Sequence, residues 1–192
     1  MDAAARPSVL FVYYTYTQQT RIVVEAMAEV LRGRGCEVQL AAIEFVDPRY
    51  AKRFEAFPMP HPFLEVLGMI PAELRRRPGQ IRIPDVVTAR RYDLVCLNGT
   101  EFAAAVPCRR YWRHNLKTVR KLGTHRGGVF ADSIHFRYAG GQLRSLLALV
   151  SYLGSGEYRE RHVGIKIPPT NIRESHLEEA RIFADRLADR LV

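Results

Sequence analysis

Hydrophobic residues occur in short continuous runs that alternate with longer amphipathic stretches. The run at residues 9–14 is apolar, β-branched and aromatic, which predicts a strand buried on both faces. In residues 18–32 the apolar positions recur every three or four residues, as in a helix with one buried side. A further apolar run from residue 37 to about residue 44 predicts a second strand. This order of strand, helix and strand predicts parallel pairing with a right-handed crossover.

Residues 45–91 interrupt the alternation with seven prolines, which prevent any long helix. Short helical turns are predicted at residues 48–57 and 62–74, joined by extended pieces. The segment is too small to bury a core of its own, so we interpret it as an elaborated crossover inside one domain, residues 1–192. Its apolar side chains could cover a sheet face, a cofactor or a partner subunit, and a sheet face is the favoured of the three.

Regular alternation resumes after residue 91. Three further strands are predicted, at residues 92–97, 127–131 and 162–167. Three further helices are predicted, at residues 107–122, at about 140–154, and from Asn171 or Ser175 onward, where Ser175 and Glu178 form a capping box. Five strands alternating with helices predict a three-layer α/β/α sandwich around a five-stranded parallel sheet.

Ligands of such sheets bind at the carboxyl ends of the strands. The candidate ligand-binding loops are therefore the three that follow the first, third and fourth strands, at residues 15–20, 98–106 and 132–141. The first of them is rich in hydroxyl groups and directly precedes a helix. Since the first N–H groups of a helix lack intrahelical partners, this arrangement is typical of a phosphate-binding turn.

Composition limits the number of domains, the location and the cysteine chemistry that we expect. The chain has 192 residues, 47% of them hydrophobic and 26% charged, which is ordinary for one globular domain. No apolar run approaches the roughly 18–20 residues that cross a bilayer, and Asp2 stands where a signal peptide needs positive charge, so we expect a cytoplasmic protein without a membrane span. Cys36, Cys96 and Cys108 show no disulfide or metal-ligand spacing.

The net charge of +9 has two interpretations. It could mark a nucleic-acid or membrane surface, or it could reflect arginines spread over solvated faces. No clear nucleic-acid motif accompanies the charge, which favours the second interpretation. A phosphorylated cofactor would also suit a basic surface.

Over nearly its whole length the chain resembles the flavodoxin family. The most specific part is residues 14–20, which are similar to the family's hydroxyl-x-Thr-Gly-x-Thr loop around the phosphate of FMN. Gly99 and Thr100 resemble the loop along the flavin ring. Gly140 and Gly141, before an amphipathic helix, resemble the corresponding region of NAD(P)H-dependent flavodoxin-like reductases. The resemblance implies a sheet with strand order 2-1-3-4-5.

The resemblance also implies an FMN-binding oxidoreductase or electron-transfer flavoprotein, of the NAD(P)H-dependent reductase type. The first loop would hold the phosphate with hydroxyl and backbone N–H groups. Phe102, with Tyr16 or Phe136, would pack on the isoalloxazine. NAD(P)H or a redox partner and a homodimer follow by family analogy, while no catalytic residue and no metal site is assigned. The implied cofactor-binding residues are Thr15, Tyr16, Thr17, Gln18, Gln19, Thr20, Gly99, Thr100, Glu101, Phe102, Asp132, Ser133, His135 and Phe136.

Two departures from the family pattern favour an alternative. Gln18 stands where the phosphate loop usually has Gly, and Glu101 stands where the second loop often has Pro. Together with the basic charge, they motivate a flavin-free binding or accessory module on the same scaffold. A hydrolase or transferase has less support, because Cys108 lacks a His placed by any motif and Ser133 lacks a nucleophile elbow.

Overall fold

Helices and three small sheets make up the described part of the chain. The computed structural model describes residues 6–47, 56–65, 67–68, 80–98, 120–121, 124–125, 127–134, 136, 142–169 and 171–191. Their elements are, in chain order, β1 (Ser8–Tyr13), α1 (Gln19–Gly33), β2 (Glu37–Ala42), β3 (Glu44–Phe45), β4 (Ile81–Arg82), α2 (Val86–Ala89), β5 (Leu94–Asn98), α3 (Gln142–Ser155), β6 (Arg161–His162), β7 (Ile165–Lys166) and α4 (Glu174–Ala188).

The largest sheet has three parallel strands in the order β2-β1-β5. Val9 of β1 lies opposite Val38 of β2 and Leu94 of β5, and the register continues to the end of β1. The carboxyl ends of the three strands therefore meet at one edge. The α/β class, the parallel pairing and the place of the first predicted strand between the second and the third are confirmed.

β1 is buried on both faces, as its continuous apolar run predicts. Phe11 is 0% exposed and points, with Val9 and Tyr13, toward the core cluster formed by α1 and α4. Leu10 and Val12 point to the other face, where residues of α2 pack on them. Alternation of side chains along a strand produces this division, so each face of the sheet receives its own apolar cover.

α1 and α4 lie side by side on one face of the sheet and run in the same direction. The Gln19 side chain at the start of α1 reaches Ile172, just before α4. At the other end, the Arg34 guanidinium pairs with Asp185 and Asp189. These contacts at opposite ends show that the two helices run in parallel, and the buried side chains between them hold the pair together.

The predicted fourth and fifth strands are not formed as such by the described residues. Residues 162–167 lie instead mostly in an antiparallel hairpin, in which Arg161 pairs with Lys166. Val163 and Gly164 have φ values of 47° and 74°, so the run turns back on itself at its glycine. Residues 127–131 are not in a strand, and Val129, which a central strand would bury, is 93% exposed.

Several element boundaries also differ from the predictions. β2 ends at Ala42, because the chain then forms β3 and pairs antiparallel with β4 inside the crossover. Residues 62–65 and 67–68 are helical as expected, and residues 56–57 are not. The rest of the two predicted helical turns, residues 48–55, 66 and 69–74, lies outside the described part. Most of the predicted helix 107–122 also lies outside it. None of the described helices combines the length and apolar composition that a bilayer span requires.

Two described parts of the proline-rich crossover pack in different places: α2 covers one face of the sheet, as expected, and residues 57–62 pack against the end of α3. Met59 is 1% exposed, and its N–H donates to the Leu153 carbonyl at 2.7 Å. A Cβ atom at Gly154 would lie 2.8 Å from Cγ of Pro62, so the glycine permits this close approach. The crossover therefore joins α3 to the loop that follows β1, whose Tyr16 belongs to the same apolar cluster.

Candidate functional site

The candidate site is the loop between β1 and α1. β1 ends at Tyr13 and α1 begins at Gln19, so five residues cross the carboxyl edge of the sheet. The Gln18 carbonyl accepts the Ile22 N–H at 3.1 Å, which makes Gln18 the N-cap of α1. The first turn of α1 consequently starts at the carboxyl edge of the central strand, the usual ligand position in parallel α/β sheets.

Gln18 has a backbone conformation that glycine favours. Its φ is 66° and its ψ is −4°, in the left-handed region and close to the third residue of a type II turn. The Gln18 side chain is exposed and makes no capping hydrogen bond to α1. The loop therefore has a glycine-like backbone at the position where the phosphate loop of the resembled family usually has Gly.

The start of α1 is electrostatically suited to an anion. Unpaired N–H groups and the aligned peptide dipoles give a helix N-terminus partial positive charge. The first turn of α1 contains no acidic residue, and Arg32 lies in its last turn. No carboxylate of that turn competes with a bound phosphate.

The threonines of the loop differ in exposure. Thr17 and Thr20 are 7% and 3% exposed, whereas Thr15 is half-buried. All three already have interactions within the chain. A hydroxyl can both donate and accept, so such a group can contact an anion while keeping an internal partner.

Tyr16 anchors the loop to the crossover. Its hydroxyl donates to the Ala56 carbonyl, and its ring meets the Phe57 ring edge-on with 5.5 Å between centroids. The residue is 7% exposed and packs in a cluster with Met59. The ring and the hydroxyl of Tyr16 are thus engaged in internal contacts.

Gln19 makes a contact that the sequence did not predict. Its Oε1 accepts the Ile172 N–H at 2.7 Å, across 153 residues of sequence. The resemblance assigned Gln19 to the cofactor loop, but its side chain connects that loop to the segment before α4. No periodicity or local motif could have found the pair, because its partner is a backbone group far along the chain.

The second predicted loop begins at the same edge. β5 ends at Asn98, whose register partner is Tyr13 at the end of β1. The residues assigned to this loop, Gly99, Thr100, Glu101 and Phe102, lie outside the described part of the chain.

The third predicted loop divides between the two ends of α4. Oδ2 of Asp132 lies 3.8 Å from Nη2 of Arg190, just beyond the last turn of α4. The Ser133 N–H donates to Oδ1 of the neighbouring Asp132. Phe136 lies instead at the first turn, with its ring centroid 5.3 Å from that of His176. Only Phe136 of these residues is thus near the Gln19 end of the helix pair, while His135 is outside the described residues.

His176 holds the first turn of α4. Its Nδ1 accepts the Arg173 N–H at 3.3 Å, and its Nε2 lies 3.3 Å from Nη2 of Arg173. The expected capping box of Ser175 and Glu178 is therefore wrong, since Arg173 and His176, two residues earlier, form it. Burial and the Arg173 charge lower the pKa of His176, while Glu179 opposes this change.

This lowered pKa predicts a pH dependence of stability. Because unfolding returns His176 to an ordinary pKa near 6.5, the unfolded chain binds more protons below that pH. The free energy of unfolding should therefore fall as the pH drops below 6.5 and through the folded pKa. His176→Gln, which keeps a capping side chain at this position, should lose this contribution. Urea unfolding at pH 7.5 and 5.5 measures it, and an equal pH dependence of both proteins would contradict the assignment.

Other chemistry receives less support from the described residues. Burial raises the pKa of the Cys36 thiol and raises that of Cys96 to about 12, so neither supplies a thiolate nucleophile near neutral pH. Cys108 lies outside the described part. Within the ranges that are described, no group of three His, Cys, Asp or Glu side chains could hold a metal ion.

Comparisons with protein-family models, with curated proteins and with solved structures find no match to this chain.

Proposed function

We propose that the chain binds FMN through residues 15–20 and acts as an oxidoreductase or electron-transfer flavoprotein, of the NAD(P)H-dependent reductase type. The observation that supports it best is the left-handed backbone of Gln18 between the central strand and α1. A helix N-terminus at a sheet's carboxyl edge suits phosphate, and the turn conformation is the one that the family's glycine provides.

Backbone and side-chain groups of the loop would both contact the phosphate. Backbone N–H groups of residues 16–20 and the hydroxyls of Thr15, Thr17 and Thr20 would hold the phosphate oxygens. Hydrogen bonds from neutral donors to an ionised group are worth about 1.5–3 kcal/mol each, so no lysine or arginine is required in the loop. The absence of acidic residues from the first turn of α1 fits the same anion.

The proposal includes the flavodoxin-like sheet with strand order 2-1-3-4-5, in one domain of residues 1–192. Its support is the observed order β2-β1-β5, which corresponds to 2-1-3. Residues 127–131 and 162–167 do not extend that sheet, so the support ends at the third strand.

FMN, when bound, supplies hydride or single-electron transfer, and the protein's part is to bind and orient it. By the resemblance, Gly99, Thr100 and Phe102 would border the ring. Phe136, which the resemblance also assigns to the ring, lies at the Gln19 end of the helix pair. A cytoplasmic location, NAD(P)H or another redox partner, and a homodimer belong to the same proposal.

Spectroscopy of the purified chain tests this proposal. We expect either flavin absorption in the protein as isolated or quenching of FMN fluorescence on titration, with saturation at one flavin per chain. A chain that carries no flavin and does not quench FMN at any concentration would contradict the proposal.

The flavin-free module is the second candidate, and two side chains favour it. Tyr16 and Gln19, which the resemblance placed against the cofactor, are engaged in internal contacts. This candidate predicts no FMN binding and a protein partner recovered in a pull-down. The same titration separates the two candidates.

A further inference from the structure

We propose that Gln19 is a positioning residue, which holds the phosphate loop in its binding conformation by docking it on the segment before α4. The expected effect of Gln19 on FMN affinity rests on the proposed function. Its effect on the conformation of the loop does not. Gln19 acts through the loop backbone and is not itself assigned to the reacting flavin.

The loop backbone needs external support. A non-glycine residue in the left-handed region is strained, and such conformations persist only where neighbouring structure determines them. Gln18, with φ of 66°, is that residue. Its own side chain makes no capping bond and cannot supply the support.

Two side chains brace the strained residue from both directions. On one flank, Tyr16 is fixed by the Ala56 carbonyl and by the Phe57 ring. On the other flank, Gln19 is fixed by the Ile172 N–H at 2.7 Å. Ile172 itself packs on the core cluster shared by α1 and α4. The backbone of Gln18 is therefore held between the crossover and the α4 segment.

Amide hydrogen exchange by NMR, without any ligand, tests the structural part. Gln19→Met keeps the length of the side chain but removes the acceptor of the Ile172 N–H. We expect the Ile172 amide to exchange about tenfold faster, because a net hydrogen bond is lost. Amides of residues 17–20 should exchange faster as well. Gln19→Glu keeps an acceptor oxygen and should restore wild-type protection.

A matched control is available at Gln39. Its Oε1 accepts the Tyr92 hydroxyl at 2.6 Å and its side chain also hydrogen-bonds Glu37, so Gln39→Met likewise removes side-chain hydrogen bonds, away from the loop. This variant should leave the exchange of Ile172 and residues 17–20 unchanged. If Gln19→Met speeds exchange at Ile172 but not in the loop, or if Gln39→Met has the same effect on the loop, the inference is overturned.

Flavin titration of the same variants tests the consequence. Gln19→Met should weaken FMN binding about tenfold and leave binding of riboflavin, which has no phosphate, unchanged. Equal losses for both flavins would indicate general destabilisation and overturn the positioning role. If the wild-type chain binds neither flavin, the proposed function fails, while the exchange experiment still decides whether Gln19 positions the loop.

Discussion

Gln18→Asp is expected to weaken FMN binding by about tenfold to 100-fold relative to Gln18→Asn. Both replacements tolerate a positive φ and both can cap α1, so the loop conformation and the helix start are matched between them. They differ by one negative charge beside a phosphate that carries nearly two. At a separation of several ångströms and an effective dielectric constant between those of protein surface and water, this repulsion amounts to about 1.4–2.7 kcal/mol.

Two further measurements, at varied ionic strength and with riboflavin in place of FMN, test whether the effect is charge repulsion at the phosphate. The difference between the two variants should shrink as the ionic strength rises from 0.01 M to 1 M, because the Debye length falls from about 30 Å to 3 Å. Riboflavin should bind both variants equally. Equal affinity of the two variants for FMN at low salt would place the phosphate elsewhere and contradict the assignment of residues 15–20.

Phe11→Ala is expected to lower the free energy of unfolding by about 3–5 kcal/mol. Phe11 is 0% exposed at the centre of β1, where it packs against the cluster that joins the sheet to α1 and α4. Its truncation removes buried apolar surface and leaves a cavity that strands paired on both sides cannot close. Since small domains are stabilised by only about 5–15 kcal/mol, this loss is a large fraction of the total stability.

Urea denaturation followed by circular dichroism measures this effect. The matched control is Ile182→Ala on α4, because Ile182 is 54% exposed. It should change the free energy of unfolding by no more than about 0.5 kcal/mol, the usual range for surface positions. A Phe11→Ala protein as stable as the control would mean that β1 is not the central buried strand.

The part of the fold that depends on local pattern could be predicted from the sequence. Continuous apolar residues in β1 and the helical period of α1 are direct consequences of their burial, and both elements are found within a residue or two of their predicted ends. The prediction of a fifth parallel strand at residues 162–167 is wrong for a physical reason. The apolar content of this run suits a strand, but Gly164 adopts φ of 74° and closes a hairpin.

The candidate site shows a similar division. The position of the loop between β1 and α1 follows from the order of elements, and the hydroxyl content of that loop is visible in the sequence. The conformation of Gln18 and the Gln19–Ile172 bond could not be predicted, because both depend on packing between segments remote in sequence. Asp132 shows the same limit, since its contact with Arg190 moves it away from the loop edge.

A calorimetric titration of the wild-type chain with FMN and with riboflavin tests the central claim most directly. If residues 15–20 bind a phosphate, FMN should bind at one site per chain and at least tenfold more tightly than riboflavin, since each hydrogen bond to the ionised phosphate is worth about 1.5–3 kcal/mol. Absence of FMN binding, or equal affinity for the two flavins, would contradict the phosphate-binding role of this loop.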